Sequence, residues 1–136
     1  MADFKFLKTM IRVTDLDRSI DFYTRLLGMK LLRKRDVRSG RFTLAFLGYG
    51  DETRNTVIEL THNWDQTSAY DLGTGFGYLA LGVPDIYAAC ERLEKLGVPL
   101  LRPPGPMRES ESVIAFIADP DGYRIELVEK QEMRPA

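Results

Sequence analysis

The chain has 136 residues, with 19 Lys and Arg against 20 Asp and Glu, a net charge of −1 and 44% hydrophobic residues. That is about one domain's worth of chain, long enough to bury a core, and its interspersed charges argue against nucleic acid or an anionic membrane surface as a partner. No apolar run exceeds strand length and the N-terminus lacks a signal-type apolar core, while the single cysteine, Cys90, rules out an internal disulfide and suits a reducing cytoplasm.

Residues 6–13 alternate as a strand, with Leu7, Thr9, Ile11 and Val13 on one face and Lys8, Met10 and Arg12 on the other. Thr14-x-x-Asp17 reads as a capping box, with Asp15 and Asp17 in a first turn where the helix dipole favours negative charge. Leu16, Ile20, Tyr23 and Leu27 form an apolar stripe that Gly28 closes. Residues 29–36 and 41–48 read as a hairpin across Arg38-Ser39-Gly40. A charged loop then leads to a strand at 56–61, with Val57, Glu59 and Thr61 on one face. Residues 63–75 are polar and glycine-containing, a natural boundary.

Beyond it, residues 78–83 read as a strand with Tyr78, Ala80 and Gly82 on one face. Pro84 to Leu96 reads as a helix whose buried stripe is Ile86, Ala89, Cys90, Leu93 and Leu96, which makes Cys90 a structural thiol. Residues 101–112 carry three prolines together with Arg102 and Arg108 and read as a long loop, either a lid or a plain surface excursion. Val113 to Glu129 then holds two apolar runs around Asp119-Pro120-Asp121-Gly122. Asp-Gly between alternating apolar residues is a strong hairpin signal, because Gly supplies the positive φ that the turn needs.

The chain repeats itself. Val13-x-Asp15 recurs as Val83-x-Asp85 and Ala45-Phe46-Leu47 as Ala115-Phe116-Ile117, both 70 residues on; Leu27-Gly28 recurs as Leu96-Gly97 at 69, and Ile58-Glu59-Leu60 as Ile125-Glu126-Leu127 at 67. Four landmarks in one order mark a duplication. The step from 70 to 69 implies a one-residue difference inside the helix. We therefore expect one domain, residues 1–136, made of two strand-helix-three-strand modules at about 6–62 and 76–129. Superposed, they set Lys8 over Tyr78 and Glu59 over Glu126, four positions directed to one polar face. Two carboxylates meeting there suit a general acid/base pair or a metal clamp.

The segments TMIRVTDLDRSIDFYTRLLGMKLL (9–32), ELTHNW (59–64), DLGTGFGYLALGV (71–83) and IAFIADPDGYRIELVE (114–129) resemble glyoxalase I, the lactoylglutathione lyase family of the vicinal oxygen chelate superfamily. The resemblance runs from about Phe6 to Glu129. It implies an α+β fold of paired βαβββ modules in an eight-stranded cup, and a homodimer with sites between subunits. Lys8 and Glu59 would come from one chain, and Tyr78 and Glu126 from the other. It also implies glutathione contacts at Arg12 and Asn63. Thr74 stands where the family often has an arginine, which leaves Arg102 or Arg108 to supply a cationic contact.

In the family the positions of Lys8, Glu59, Tyr78 and Glu126 hold Ni²⁺ or Zn²⁺, usually through His or Gln, Glu, His and Glu. This chain keeps both glutamates and neither nitrogen ligand, and its only histidine, His62, is not one of the four. The expectation is therefore that no metal or other cofactor is tightly bound. Lys8 would act as the cationic surrogate, and Glu59 and Glu126 as acid and base on a small carbonyl-type substrate such as a glutathione hemithioacetal. The alternatives are a protein of the same fold that sequesters a small molecule, and a conventional metal-dependent lactoylglutathione lyase that holds Ni²⁺ or Zn²⁺ with altered ligands.

Overall fold

The structure is a computed structural model that describes residues 3–108 and 112–133. The chain divides into two compact units, Met1–Asp71 and Leu72–Ala136, and the division falls within the polar stretch 63–75.

The first unit contains β1 (Lys8–Arg12), α1 (Leu16–Asp21), a π-helical turn (Phe22–Leu26), β2 (Lys30–Val37), β3 (Phe42–Gly48) and β4 (Val57–Asn63). Its sheet runs β1-β4-β3-β2, with β1 parallel to β4 and the other pairings antiparallel. The second unit contains β5 (Leu79–Val83), α2 (Ile86–Lys95), β6 (Leu100–Pro106), β7 (Val113–Ala118) and β8 (Arg124–Glu129), in the order β5-β8-β7-β6. This is the same topology, so each unit is a βαβββ module and the eight strands form two four-stranded sheets. In the first unit the helix packs on the sheet face of Ile11, Val13, Ala45, Leu47, Ile58 and Leu60; in the second, Ile86, Cys90 and Leu93 of α2 pack on the face of Ile117, Ile125 and Leu127, all buried. The opposite face carries the candidate site.

The repeat extends to single hydrogen bonds. Asp15 caps α1 by accepting from the Arg18 N–H, and Asp85 caps α2 by accepting from the Ala88 N–H, each at 3.1 Å. Asp15 thus fills the place that the capping box assigned to Thr14. In the second helix Asp85 takes the cap ahead of Ile86, and Pro84 lies outside. Gly28 and Gly97 close the helices with φ of 77° and 88°. The one-residue difference is the π turn, in which Leu27 N–H donates to the Phe22 carbonyl, five residues back, at 3.2 Å. Widening that turn brings Phe22, Tyr23 and Leu26 inward and leaves Ile20 and Leu27 half-buried, so the expected stripe is shifted. In α2 the stripe holds through Leu93, but Leu96 is 44% exposed and Val98 closes the core instead.

The Asp119 turn forms as expected: its carboxylate accepts from the N–H groups of Asp121 and Tyr123, both at 2.9 Å, with Gly122 at φ 93°. The expected loop from 101 is a correction. Residues up to Pro106 form β6, paired to β7 with register shifts on both sides of Arg102; residues 109–111 lie outside the described set. Prolines have no N–H for a ladder and are tolerated because β6 is an edge strand. The Arg102 guanidinium supplies donors instead, to the carbonyls of Ile114 at 2.9 Å, Pro106 at 3.1 Å and Gly105 at 3.2 Å.

Candidate functional site

In the first unit, parallel pairing sets Lys8 opposite Val57 and Met10 opposite Glu59, so Lys8 lies one diagonal step from Glu59 on the same face. Its ammonium closes that gap, with Nζ 2.5 Å from Glu59 Oε1. The other carboxylate oxygen accepts from the Thr61 hydroxyl at 3.1 Å. Both oxygens of a side chain only 9% exposed are thereby engaged, as a buried charge requires. Phe46, paired with Glu59 across β3 and β4, forms the floor: Lys8 Nζ lies 5.0 Å and the Arg33 guanidinium 3.7 Å from its ring centre. Arg33 is fixed by Glu52 through contacts of 2.9 and 3.2 Å. The Glu52 hydrogen bond is the main reason its pKa is raised, and the charge of Glu59 adds to it.

The segment after Glu59 is locked residue by residue. His62, which is not one of the four candidate positions, sets Nδ1 3.3 Å from the Val13 carbonyl on the helix side. Asn63 donates to the Tyr70 hydroxyl at 3.2 Å, and Trp64 Nε1 to the Thr43 hydroxyl at 2.8 Å. Asn63 follows Glu59 and Thr61 at even spacing, so it shares their face, as does Arg12, paired with Thr61.

In the second unit, Ala80 pairs with Glu126 and Glu126 with Phe116, the position equivalent to Phe46. Tyr78 precedes β5 by one residue, rather than lying in it, and stands edge-on to Phe116 with ring centres 5.2 Å apart. Glu126 is half-buried, and its carboxylate has no partner among the described residues. Arg102 spends its donors on backbone carbonyls, which makes it a brace for β6. Arg108 and Thr74 are exposed. Thus Lys8, Glu59, Arg12 and Asn63 share one sheet face, and Tyr78 and Glu126 meet at Phe116 on the other sheet. Sequence reasoning missed Thr61, Phe46, Phe116 and Arg33. The signal for the two phenylalanines was present, since they sit 70 residues apart in the repeat.

Among the described residues no three His, Cys, Asp or Glu side chains gather as a metal site would require. No described helix is long and apolar enough to cross a membrane. Cys90 is buried and unpaired, and burial, with Glu94 nearby, pushes its thiol pKa up, as befits a core side chain rather than a nucleophile.

Residues 5–127 match the Glyoxalase/Bleomycin resistance protein/Dioxygenase superfamily. The chain is 60% identical over 123 residues to a probable lactoylglutathione lyase of Synechocystis, covering 90% of this chain and 93% of that one. It is 56% identical over 127 residues to the lactoylglutathione lyase of Neisseria meningitidis, covering 93% and 91%. Among solved structures, glyoxalase I from Zea mays superposes with a TM-score of 0.88 at 47% identity; the match covers 93% of this chain but 44% of the maize chain. The trypanothione-dependent glyoxalase I of Leishmania major gives 0.83 at 46% identity, with 96% and 90% covered. Identity of this order over nearly the whole length, on the same paired-module fold, means that the chain belongs to the glyoxalase I (lactoylglutathione lyase) family of that superfamily.

Proposed function

We propose that the protein is a glyoxalase I-type lyase/isomerase that converts the glutathione hemithioacetal of a small 2-oxoaldehyde to the thioester, and that it does so without a tightly bound transition metal. The observation that carries this reading is the Lys8 ammonium on Glu59 at 2.5 Å. An ammonium has three donors and no lone pair, so it cannot ligate an ion. What remains is two carboxylates and the Tyr78 phenol, an oxygen set that suits Mg²⁺ or Mn²⁺ better than Ni²⁺ or Zn²⁺. These residues do not fit the family's metal.

The isomerisation moves protons only. A carboxylate takes the proton from C1, the C–H electron pair becomes the C1–C2 double bond, and the C2 carbonyl oxygen becomes an enediolate. The proton returns to C2, and the C1 hydroxyl proton passes to the C2 oxygen, leaving the thioester. Glu126, half-buried with neither oxygen engaged, suits the proton carrier. Glu59 already accepts from Lys8 and Thr61, so its role is to hold the ammonium in place. Lys8, 45% exposed, has two further N–H groups for the developing enediolate, an electrostatic contribution worth roughly 10²–10³ in rate. The homodimer that the family resemblance implies would bring the Glu126 half-site of one copy to the Glu59 half-site of another.

The test is turnover of methylglyoxal plus glutathione by protein passed through a chelator, with metal content and light scattering measured on the same sample. Turnover by a dimer at far less than one ion per subunit is expected. Activity that appears only with stoichiometric Ni²⁺ or Zn²⁺ would overturn the metal-free reading. A protein that binds glutathione conjugates tightly without turnover would be a sequestering one.

A further inference from the structure

Strand register gives the first unit a feature beyond the Glu59 centre. Arg12 pairs with Thr61, Thr61 with Leu44, and Leu44 with Arg35, so these four side chains form one row across β1, β4, β3 and β2. The adjacent row is Met10, Glu59, Phe46 and Arg33. That Arg35 shares the face of Glu59 follows from its neighbours. Arg33, two residues earlier, stacks on Phe46, and no register shift separates the two. Lys34 and Asp36 instead line an opening on the helix side with Thr43, His62 and the start of α1.

The face therefore carries four cations, Lys8, Arg12, Arg33 and Arg35. Lys8 is committed to Glu59 and Arg33 to Glu52. Arg35 is exposed, and its guanidinium is uncommitted among the described residues. Three strand spacings of about 4.8 Å separate it from Arg12 at the other end of the row, roughly 14 Å between Cα atoms. Between the two arginines lie a hydroxyl and an apolar side chain, both uncharged.

We propose that Arg35 is a specificity residue. It would bind the carboxylate at one end of an elongated substrate with an anionic group at each end, with Arg12 at the opposite end and the reacting carbons over the adjacent Glu59 row. This rests on the proposed thiol-conjugate substrate and deepens it, because glutathione carries a carboxylate at each terminus. A guanidinium presents a planar fork that matches a carboxylate through two hydrogen bonds, and the row offers no other cation at the Arg35 end, since Leu44 and Thr61 are uncharged.

The probes are S-methylglutathione and two analogues that each lack one carboxylate: the glycinamide, and the peptide with 4-aminobutyryl in place of γ-glutamyl. Calorimetry with the parent protein, Arg35→Ala, Arg35→Lys and Arg38→Ala reads the contact directly. Arg38 lies at the hairpin tip and controls for net charge. Arg35→Ala should weaken S-methylglutathione roughly 10- to 100-fold, the range of a charged hydrogen bond. It should bind one of the analogues as well as the parent protein does, while Arg35→Lys recovers part of the loss and Arg38→Ala loses nothing. In turnover, KM should rise with kcat unchanged. Equal losses for all three probes, a loss in Arg38→Ala of the same size, or no loss in Arg35→Ala would overturn the assignment, as would failure of the parent protein to bind S-methylglutathione. Absent turnover with Arg35-dependent binding intact would leave the assignment standing and remove the enzymatic reading alone.

Discussion

The two units share one backbone plan and, at four equivalent places, differ in residue type only at Lys8 and Tyr78 but in contacts at all four. In the first, Phe46 lies between Lys8 and Arg33, and Glu59 is buried with both oxygens engaged. In the second, Phe116 meets Tyr78 edge-on, the paired Arg102 turns to backbone carbonyls, and Glu126 stands half-buried and unengaged. A glutamate at the same point of the equivalent strand is thus engaged through both oxygens in one unit and unengaged among the described residues in the other. The strand sets where a carboxylate points; the residue across the face decides what it can accept.

The sharpest way to break this contrast is to neutralise each glutamate. Glu126→Gln should lower kcat by roughly 10²–10⁴, the usual weight of a general base, while Glu59→Gln, which leaves an amide oxygen for Lys8, should cost about ten-fold less than that. Equal losses in the methylglyoxal assay would mean that the two carboxylates share the proton work. Next in size is a change of donor set. In the proposed homodimer, Lys8→His with Tyr78→His would set two imidazoles beside two carboxylates, and the double variant should retain about one Ni²⁺ or Zn²⁺ per subunit after desalting, with neither single variant doing so. Retention by the unaltered protein would sink the argument from Lys8. The smallest effect concerns the shared plan. Asp15→Ala and Asp85→Ala should each cost about 1 kcal/mol and lower the melting temperature by a few degrees. A cost confined to one cap would show that the duplicated helices no longer carry equal weight.

Most of the backbone was legible in the residues themselves. Alternation placed Lys8, Glu59 and Arg12 on one face, and the offsets of 70 and 69 located the extra residue that became the π turn. Asp-Pro-Asp-Gly specified the second hairpin through its own short-range hydrogen bonds. The expectation failed where a strong local signal met a tertiary one. Three prolines suggested a loop, yet β7 captured residues 100–106 as an edge strand, with Arg102 standing in for the missing donors.

By itself, then, the sequence determined the module, its duplication and the strand faces of Lys8, Arg12, Glu59 and Glu126, because period-two alternation, helix caps and turn chemistry are interactions among residues a few positions apart. Only the tertiary structure decided which carboxylate is engaged and which cation is left uncommitted. Lys8 meets Glu59 across 51 residues, Arg33 meets Glu52 across 19, and Arg35 reaches the row of Arg12 through three strand pairings. Such contacts depend on register between distant strands, which no local pattern encodes.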